Sequence, residues 1–327
     1  MRAETIVFAV AWVALAGARG VNAQPVGPDG NVPLPPAKLE ALRGDALEIR
    51  SVKGAGGGVT GALKMVLFVP EFGKEITVKW KPAPRRGDGW NNSPRRELAA
   101  YEIQKWFLDP NDYVVPTTVA RCVRLDVYES IGGPPESRVG GFDFDCVLGI
   151  AAVWLSNVTV PDTLHDEKRF ADDASYARYL ADMNLLSYLI KHRDGRNGNF
   201  LTSKNESDRR VFSIDNGISF EAFPFNPLPW VTNWHKIRVS SLRKESIDRL
   251  RAIGPAELDQ LNVIAELKAD ENDILQSVPV SATGDDSGVR VTDDTVQLGL
   301  SVKQIKRLEK RLASLLDKVD RGEIPTF

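Results

Sequence analysis

Three polar side chains near the middle of the chain have the types and spacing to handle a phosphate chain and a hydroxyl. They are Asp194 and Asn199, five positions apart, and Asp215, 21 residues beyond Asp194. They lie in His192-Arg193-Asp194-Gly195-Arg196-Asn197-Gly198-Asn199 and in Ser213-Ile214-Asp215-Asn216-Gly217. Between them Phe200-Leu201 reads as an apolar strand, Ser203 to Arg210 as a polar turn and Val211 to Ile214 as an alternating strand, which predicts a short hairpin. A loop carboxylate can accept the proton of a hydroxyl, while an amide and a second carboxylate at the hairpin mouth can hold Mg²⁺ against phosphate oxygens. Either half alone is an ordinary turn rich in Asp, Asn and Gly. The two halves together point to chemistry.

Such a site needs rigid elements around it, and the sequence offers them upstream. A strand from Ala46 to Val52, a glycine cluster from Gly54 to Gly61 and a strand from Leu63 to Val69 predict a hairpin. With Gly56, Gly57 and Gly58 at its centre, its backbone can lie close against phosphates. No Gly-Lys-Ser/Thr ends the cluster, so it is not a Walker loop. The next strand, Glu75 to Lys81, closes at Pro82, and its alternation puts Lys79 and Lys81 on one face, where either can meet phosphates. Pro84 to Ser93 is a polar loop. Ser93 as N-cap and Pro94 at the first helical position start a helix expected to reach Leu108. Glu97 lies one turn in, where a partner for a strand lysine is required, with Glu102 as competitor. Three more strands are expected at Val114 to Val119, Cys122 to Val127 and Phe142 to Leu155, the last broken near Gly149.

The second half reads as mainly helical. Ala174 to Lys191 carries apolar residues at helical spacing and delivers the chain into His192, whose expected role is to hold the loop by hydrogen bonds. The aromatic and proline stretch Phe220 to Trp234 reads as packed irregular chain or the wall of a substrate site. Helices are predicted at Ser246 to Ile253, Ala256 to Glu266, Glu271 to Gln276 and Val302 to Val319, with a polar loop from Ser281 to Asp294. The expected division is 46–157 and 158–327.

Residues 1–23 have the form of a secretory signal: Arg2, an apolar run from Ile6 to Ala16, and a small residue at Ala23. Export, to a periplasmic or extracellular space, is therefore expected. That run is too short for a comfortable span, and no later stretch reaches transmembrane length, so no integral span is expected after signal removal. Five prolines between Gln24 and Pro36 predict an extended linker over 24–45, with a short helix at Lys38 to Gly44. A net charge of −2 gives no draw towards nucleic acid or an anionic membrane. Two cysteines, Cys122 and Cys146, exclude a multi-cysteine zinc site. In an oxidising compartment they can pair, or they can be two buried thiols.

These parts, in this order, resemble a kinase. Asn216 after Asp215, in place of Phe, separates the chain from eukaryotic protein kinases. It is more similar to the atypical branch of phosphatidylinositol 3-/4-kinases, especially type II phosphatidylinositol 4-kinases, and to the secretory-pathway Golgi casein kinase family. The matching stretches are Val78-Lys79-Trp80-Lys81-Pro82, Arg96-Glu97-Leu98-Ala99-Ala100, Asp194-Gly195-Arg196-Asn197-Gly198-Asn199 and Ile214-Asp215-Asn216-Gly217. The resemblance implies an α+β, two-lobed protein-kinase-like fold with a small β-rich N-lobe and a mainly helical C-lobe. It implies ATP and Mg²⁺ as cofactors. It selects Lys81, the lysine directly before proline, for the ATP phosphates and Glu97 as its partner. Asp194 becomes the catalytic base, and Asn199 and Asp215 hold Mg²⁺. The expected activity is transfer of the γ-phosphate to a hydroxyl on a protein or glycan, favoured over a lipid. The alternatives are a nucleotide-binding pseudokinase, a lipid kinase or a nucleotidyltransferase.

Overall fold

A polypeptide whose apolar residues recur at every second position must bury one face of the resulting strands. That pattern sets the first sheet of the computed structural model, which describes residues 30–44, 46–56, 61–133, 144–205, 210–220, 234–281 and 286–327. Strands β1 (Glu48–Gly54), β2 (Leu63–Val69), β3 (Lys74–Pro82), β4 (Thr118–Arg124) and β5 (Cys146–Val153) form an antiparallel sheet in the order β1-β2-β3-β5-β4. Met65, Leu67, Ile76, Val78 and Trp80 face one core with Val147, Ala151 and Val153. Gly149 does not break β5, as the sequence suggested. A Cβ there would lie 2.5 Å from the Lys81 carbonyl and 2.7 Å from the Trp80 ring, so glycine lets β3 and β5 approach.

Residues 30–44 are not a tether. Asn31, Val32, Leu34, Leu39 and Leu42 are buried, and helix α1 (Pro36–Glu40) starts on the prolines that suggested a linker. Leu34, Leu39 and Leu42 join the first core. The Asn31 amide donates to the Ser156 carbonyl at 2.9 Å, and the Ser156 N–H returns a bond to the Asn31 carbonyl at 3.0 Å. The signal-like segment 1–23 and residues 24–29 lie outside the described residues.

Helix α2 (Pro94–Gln104) begins at Ser93 as expected and ends four residues early. Gln104 explains the difference. Its side-chain oxygen accepts from the N–H groups of Val114 and Val115, and its amide donates to the Val115 carbonyl. The chain at 114–115 thus satisfies its backbone on a side chain, and the strand starts only at Thr118. After β4 the chain turns into α3 (Leu125–Ser130), where strand was expected to Val127; Asp126 accepts from the Val127 N–H at 2.8 Å. Cys122 and Cys146 form a disulfide between β4 and β5, with Cα atoms 5.6 Å apart.

Beyond the short β6 (Val158–Thr159) come α4 (Glu167–Asp172), unforeseen, and α5 (Ala174–Leu189). The expected hairpin forms as β7 (Phe200–Ser203) and β8 (Val211–Ser213), with β6 as third strand. The second core gathers Leu180, Met183 and Leu186 of α5 with Phe200 and Val211. Helices α6 (Lys244–Leu250) and α7 (Pro255–Gln260) follow. α7 covers the first half of the helix predicted over Ala256 to Glu266, whereas its end, the end of the helix predicted over Glu271 to Gln276 and part of the loop to Asp294 belong to a second antiparallel sheet. Its strands are β9 (Ala265–Ala269), β10 (Leu275–Val278), β11 (Val289–Val291) and β12 (Thr295–Leu298), ordered β10-β9-β12-β11. Local propensity in Ala265-Glu266-Leu267-Lys268-Ala269 favours helix. Packing overrides it: Leu267, Leu275, Val296 and Leu298 form a third core with Leu98, Ile150 and the disulfide. The amphipathic helix α8 (Val302–Asp320) matches its prediction, and Leu308, Leu312 and Leu315 cover α5. The architecture is mixed α and β, with antiparallel sheets and a C-terminal helix. Among the described residues no helix is long and apolar enough to cross a membrane.

One buried acid in the helical half titrates abnormally. Asp182 of α5 accepts from Ser246 Oγ at 2.6 Å and pairs with Arg243 at 3.2 Å. Burial pushes its carboxyl up to about 6, against the pull of Ser246 and Arg243. A raised carboxyl favours the folded chain below its unfolded value near ~4 and loses that advantage as pH rises through about 6. Two units correspond to about 3 kcal/mol. Denaturant unfolding of Asp182→Asn and the parent at pH 4 and pH 7 should therefore differ in pH slope by roughly that amount; parallel slopes would contradict the assignment.

Candidate functional site

α2 and the second sheet pack over β4 and β5, and the face of β1–β3 opposite the first core is left, among the described residues, largely to polar side chains. Lys79 and Lys81 stand on that face. Lys81 Nζ lies 2.5 Å from Glu97 Oε1, and both residues are almost fully buried, at 5% and 6% exposure. Glu97 reaches this position because Pro94 opens α2, so the glutamate falls in the first turn, where the helix dipole also favours an anion. Its other oxygen accepts the Asn216 N–H at 2.9 Å. One carboxylate thus joins β3, α2 and the segment after β8.

Asp215 completes the cluster. Its Oδ1 lies 2.6 Å from Lys79 Nζ and 3.0 Å from Lys81 Nζ. Burial alone would raise the Asp215 carboxyl, but Lys81 and Lys79 hold it far below the ordinary range. Burial likewise works against the Lys81 ammonium, and Glu97 and Asp215 overcome it and push its pKa up. Two cations and two carboxylates balance here, which is the condition under which a buried ionic cluster is tolerated. The backbone at Asp215 is left-handed, φ 56°, which costs a non-glycine residue about 1 kcal/mol. The turn is held by Ser213 Oγ on Asn216 Oδ1 at 2.8 Å. At Gly217 a Cβ would come within 3.3 Å of the Ser93 nitrogen and 3.5 Å of Glu97 Oε1, so glycine is what admits the turn against α2.

The loop before the hairpin is organised by His192. It is fully buried, accepts the Asp194 N–H on Nδ1 at 3.2 Å, and is kept neutral by burial, which lowers its pKa. This is the holding role expected of it. Asn199 Nδ2 donates to the Asp194 carbonyl at 2.7 Å and to Asp194 Oδ2 at 2.8 Å. Arg196 also sits on Oδ2, at 3.3 Å, so both of these side chains meet the same oxygen of Asp194. The Ile214 N–H donates to the Asn199 carbonyl at 2.9 Å and ties the two polar loops together.

Lys81, Glu97, Asn199, Asp215 and Gly56 line one cavity of about 640 Å³, together with Lys79, Trp154 and Arg196. That volume suits a small-molecule ligand. Asp194 is not on the cavity wall and reaches it through Asn199 and Arg196. Gly57 and Gly58 lie outside the described residues. Lys79, which the resemblance passes over in favour of Lys81, reaches Asp215 as well, as the face they share implies. Arg95 carried no signal in the sequence. It is buried and fixes α2 from behind, donating to Asp88 at 2.8 Å, to Gln304 Oε1 at 2.6 Å and to the Gly299 carbonyl at 3.2 Å.

The donor set fits a hard cation. Asn199 has its nitrogen engaged, so its oxygen remains, and Asp215 supplies carboxylate oxygens. Among the described residues no group of three or more His, Cys, Asp or Glu forms a metal cage. An ion such as Mg²⁺, which keeps waters and shares ligand phosphates, needs only this partial set. No protein-family model matches the chain, and no curated protein matches it.

The buried pair gives a direct test. Glu97→Leu leaves Lys81 as a buried charge with half its counter-charge gone and should lower stability by about 3 kcal/mol or more. Adding Lys81→Met should recover part of that loss, so the double variant is more stable than the sum of the singles. Strict additivity in denaturant titrations would show that the two side chains are not coupled.

Proposed function

We propose that the chain is an exported, ATP-dependent kinase with a two-lobed kinase-like arrangement, residues 46–157 forming the small lobe and 158–327 the large one. The observation that carries this reading is the double use of Glu97, on Lys81 and on the backbone beside Asp215, above a cavity of nucleotide size. Phosphoryl transfer asks little of a protein beyond positioning and charge neutralisation. Lys81, held rigid by Glu97, offers its ammonium to the phosphate chain. Gly56, on the cavity wall, lets the backbone lie close to that chain. Mg²⁺ bound through Asn199 and Asp215 would neutralise the phosphate oxygens.

Asp194 then acts on the acceptor. Its Oδ1 accepts the hydroxyl proton as the acceptor oxygen bonds to the γ-phosphorus. The bond from that phosphorus to the β–γ bridging oxygen breaks, and ADP departs with that electron pair. The Cys122–Cys146 disulfide supports an oxidising compartment. A net charge of −2 supplies no attraction to anionic lipid, so a protein or glycan hydroxyl is the acceptor we favour.

Incubation of residues 24–327 with Mg-ATP labelled on the γ- or the α-phosphate tests this against its rivals. Transfer of γ label to an acceptor is expected. Transfer of α label would assign nucleotidylation, and no transfer with retained binding would assign a pseudokinase. Asp215→Ala should reduce turnover by at least about a hundredfold. Asp194→Asn should lower kcat and leave the nucleotide affinity near that of the parent.

A further inference from the structure

Lys79 belongs to a longer row. The register places Lys53 of β1 opposite Lys64 of β2, and Lys64 opposite Lys79 of β3. Directly opposed residues share a face, so all three ammonium groups stand on the sheet face from which Lys79 and Lys81 meet Asp215. Like charges set abreast destabilise a sheet. Lys79 is neutralised by Asp215. Among the described residues neither Lys53 nor Lys64 has a carboxylate partner. Lys64 Nζ instead rests 4.0 Å from the centroid of Trp154, which lines the cavity.

An edge lysine guards a sheet against unwanted pairing, and that accounts for Lys53. It does not account for Lys64, which lies on an interior strand with its ammonium over a cavity-wall indole. The row also lies one residue before the Gly54–Leu63 pair, where β1 and β2 run into the glycine turn, and Gly56 of that turn lines the same cavity.

We propose that Lys64, flanked by Lys53 and Lys79, forms an anion subsite that takes a second phosphate group of the ligand, separate from the phosphate held at Lys81. The class of ligand is a linear phosphate chain of at least two phosphates. The nucleotide as its carrier rests on the kinase reading above; the subsite itself rests on the lysine row. Lys64 leaves the Trp154 face when a phosphate oxygen replaces the weaker ring contact. Lys53 adds longer-range attraction, and Lys79 is shared with Asp215.

Calorimetric titration of residues 24–327 with ATP, AMP and inorganic tripolyphosphate, each with Mg²⁺, tests the subsite. Lys64→Met retains the stem and removes the charge. It should weaken ATP and tripolyphosphate about tenfold and AMP less than twofold. Lys64→Arg should restore most of the loss, and Lys310→Met on α8 should change nothing. The salt dependence of tripolyphosphate binding should become shallower in Lys64→Met. Equal losses for ATP and AMP, or unchanged ATP and tripolyphosphate binding in a variant of normal melting temperature, would overturn the subsite. If the parent binds tripolyphosphate through Lys64 but not ATP, the subsite stands and the kinase reading falls. If ATP binds and is turned over without regard to Lys64, the reverse holds. Binding of none of the three ligands by the parent overturns both.

Discussion

Everything around the cavity depends on where the Glu97 carboxylate is held. With both oxygens engaged, on Lys81 and on the Asn216 N–H, it converts three separately folded pieces into one wall. The sheet supplies a lysine, the helix an acid, and the turn after the hairpin a backbone donor. Taking these charges out of water is unfavourable for each alone. The cluster persists because every charge meets an opposite one within hydrogen-bonding reach, and because Gly217 lets the turn come close enough for that to happen.

The second sheet explains why the helix stays in register with the strand. Through Leu98 it shares a core with α2, and just beyond it the Gly299 carbonyl and Gln304 of α8 accept from Arg95, two residues before Glu97. Arg96 reaches forward to the Gly217 carbonyl at 3.4 Å. Successive arginines thus fix the first turn of α2 in opposite directions. A helix held on both sides presents its glutamate to Lys81 in a fixed place.

The site was more legible in the sequence than the fold was. Asn199 and Asp215 stand out by their spacing around a short hairpin, and the resemblance picks Lys81 and Glu97; the structure brings all four to one cavity. The hairpin and the helices α5 and α8 could be read because their apolar periods are long or tightly bounded. The second sheet could not. Its strands have three to five residues each, and runs such as Ala265 to Ala269 contain good helix formers. What makes them strands is contact with Leu98, Ile150 and the disulfide, far away in the chain. In residues 30–44 the short helix was legible and the burial was not, for a related reason. Prolines suggest an extended tether by composition, while the leucines that bury the segment are too few to show a period. The resemblance selects Lys81, which does meet Glu97, while Lys79 beside it reaches Asp215 as well.

The docking of Asn31 against Ser156 has a consequence for how the chain reaches this state. These residues are 125 positions apart, yet Asn31 is fully buried and exchanges backbone and side-chain bonds with the crossover that leaves β5. During synthesis the segment around Asn31 emerges early and finds its partner only after residue 156 has followed. Closing so long a loop is a late event. The first sheet can be assembled before its N-terminal cover is seated, and until then the core behind Leu34 and Leu39 stays wet. A polypeptide built this way cannot complete its first core until about half of it has been made.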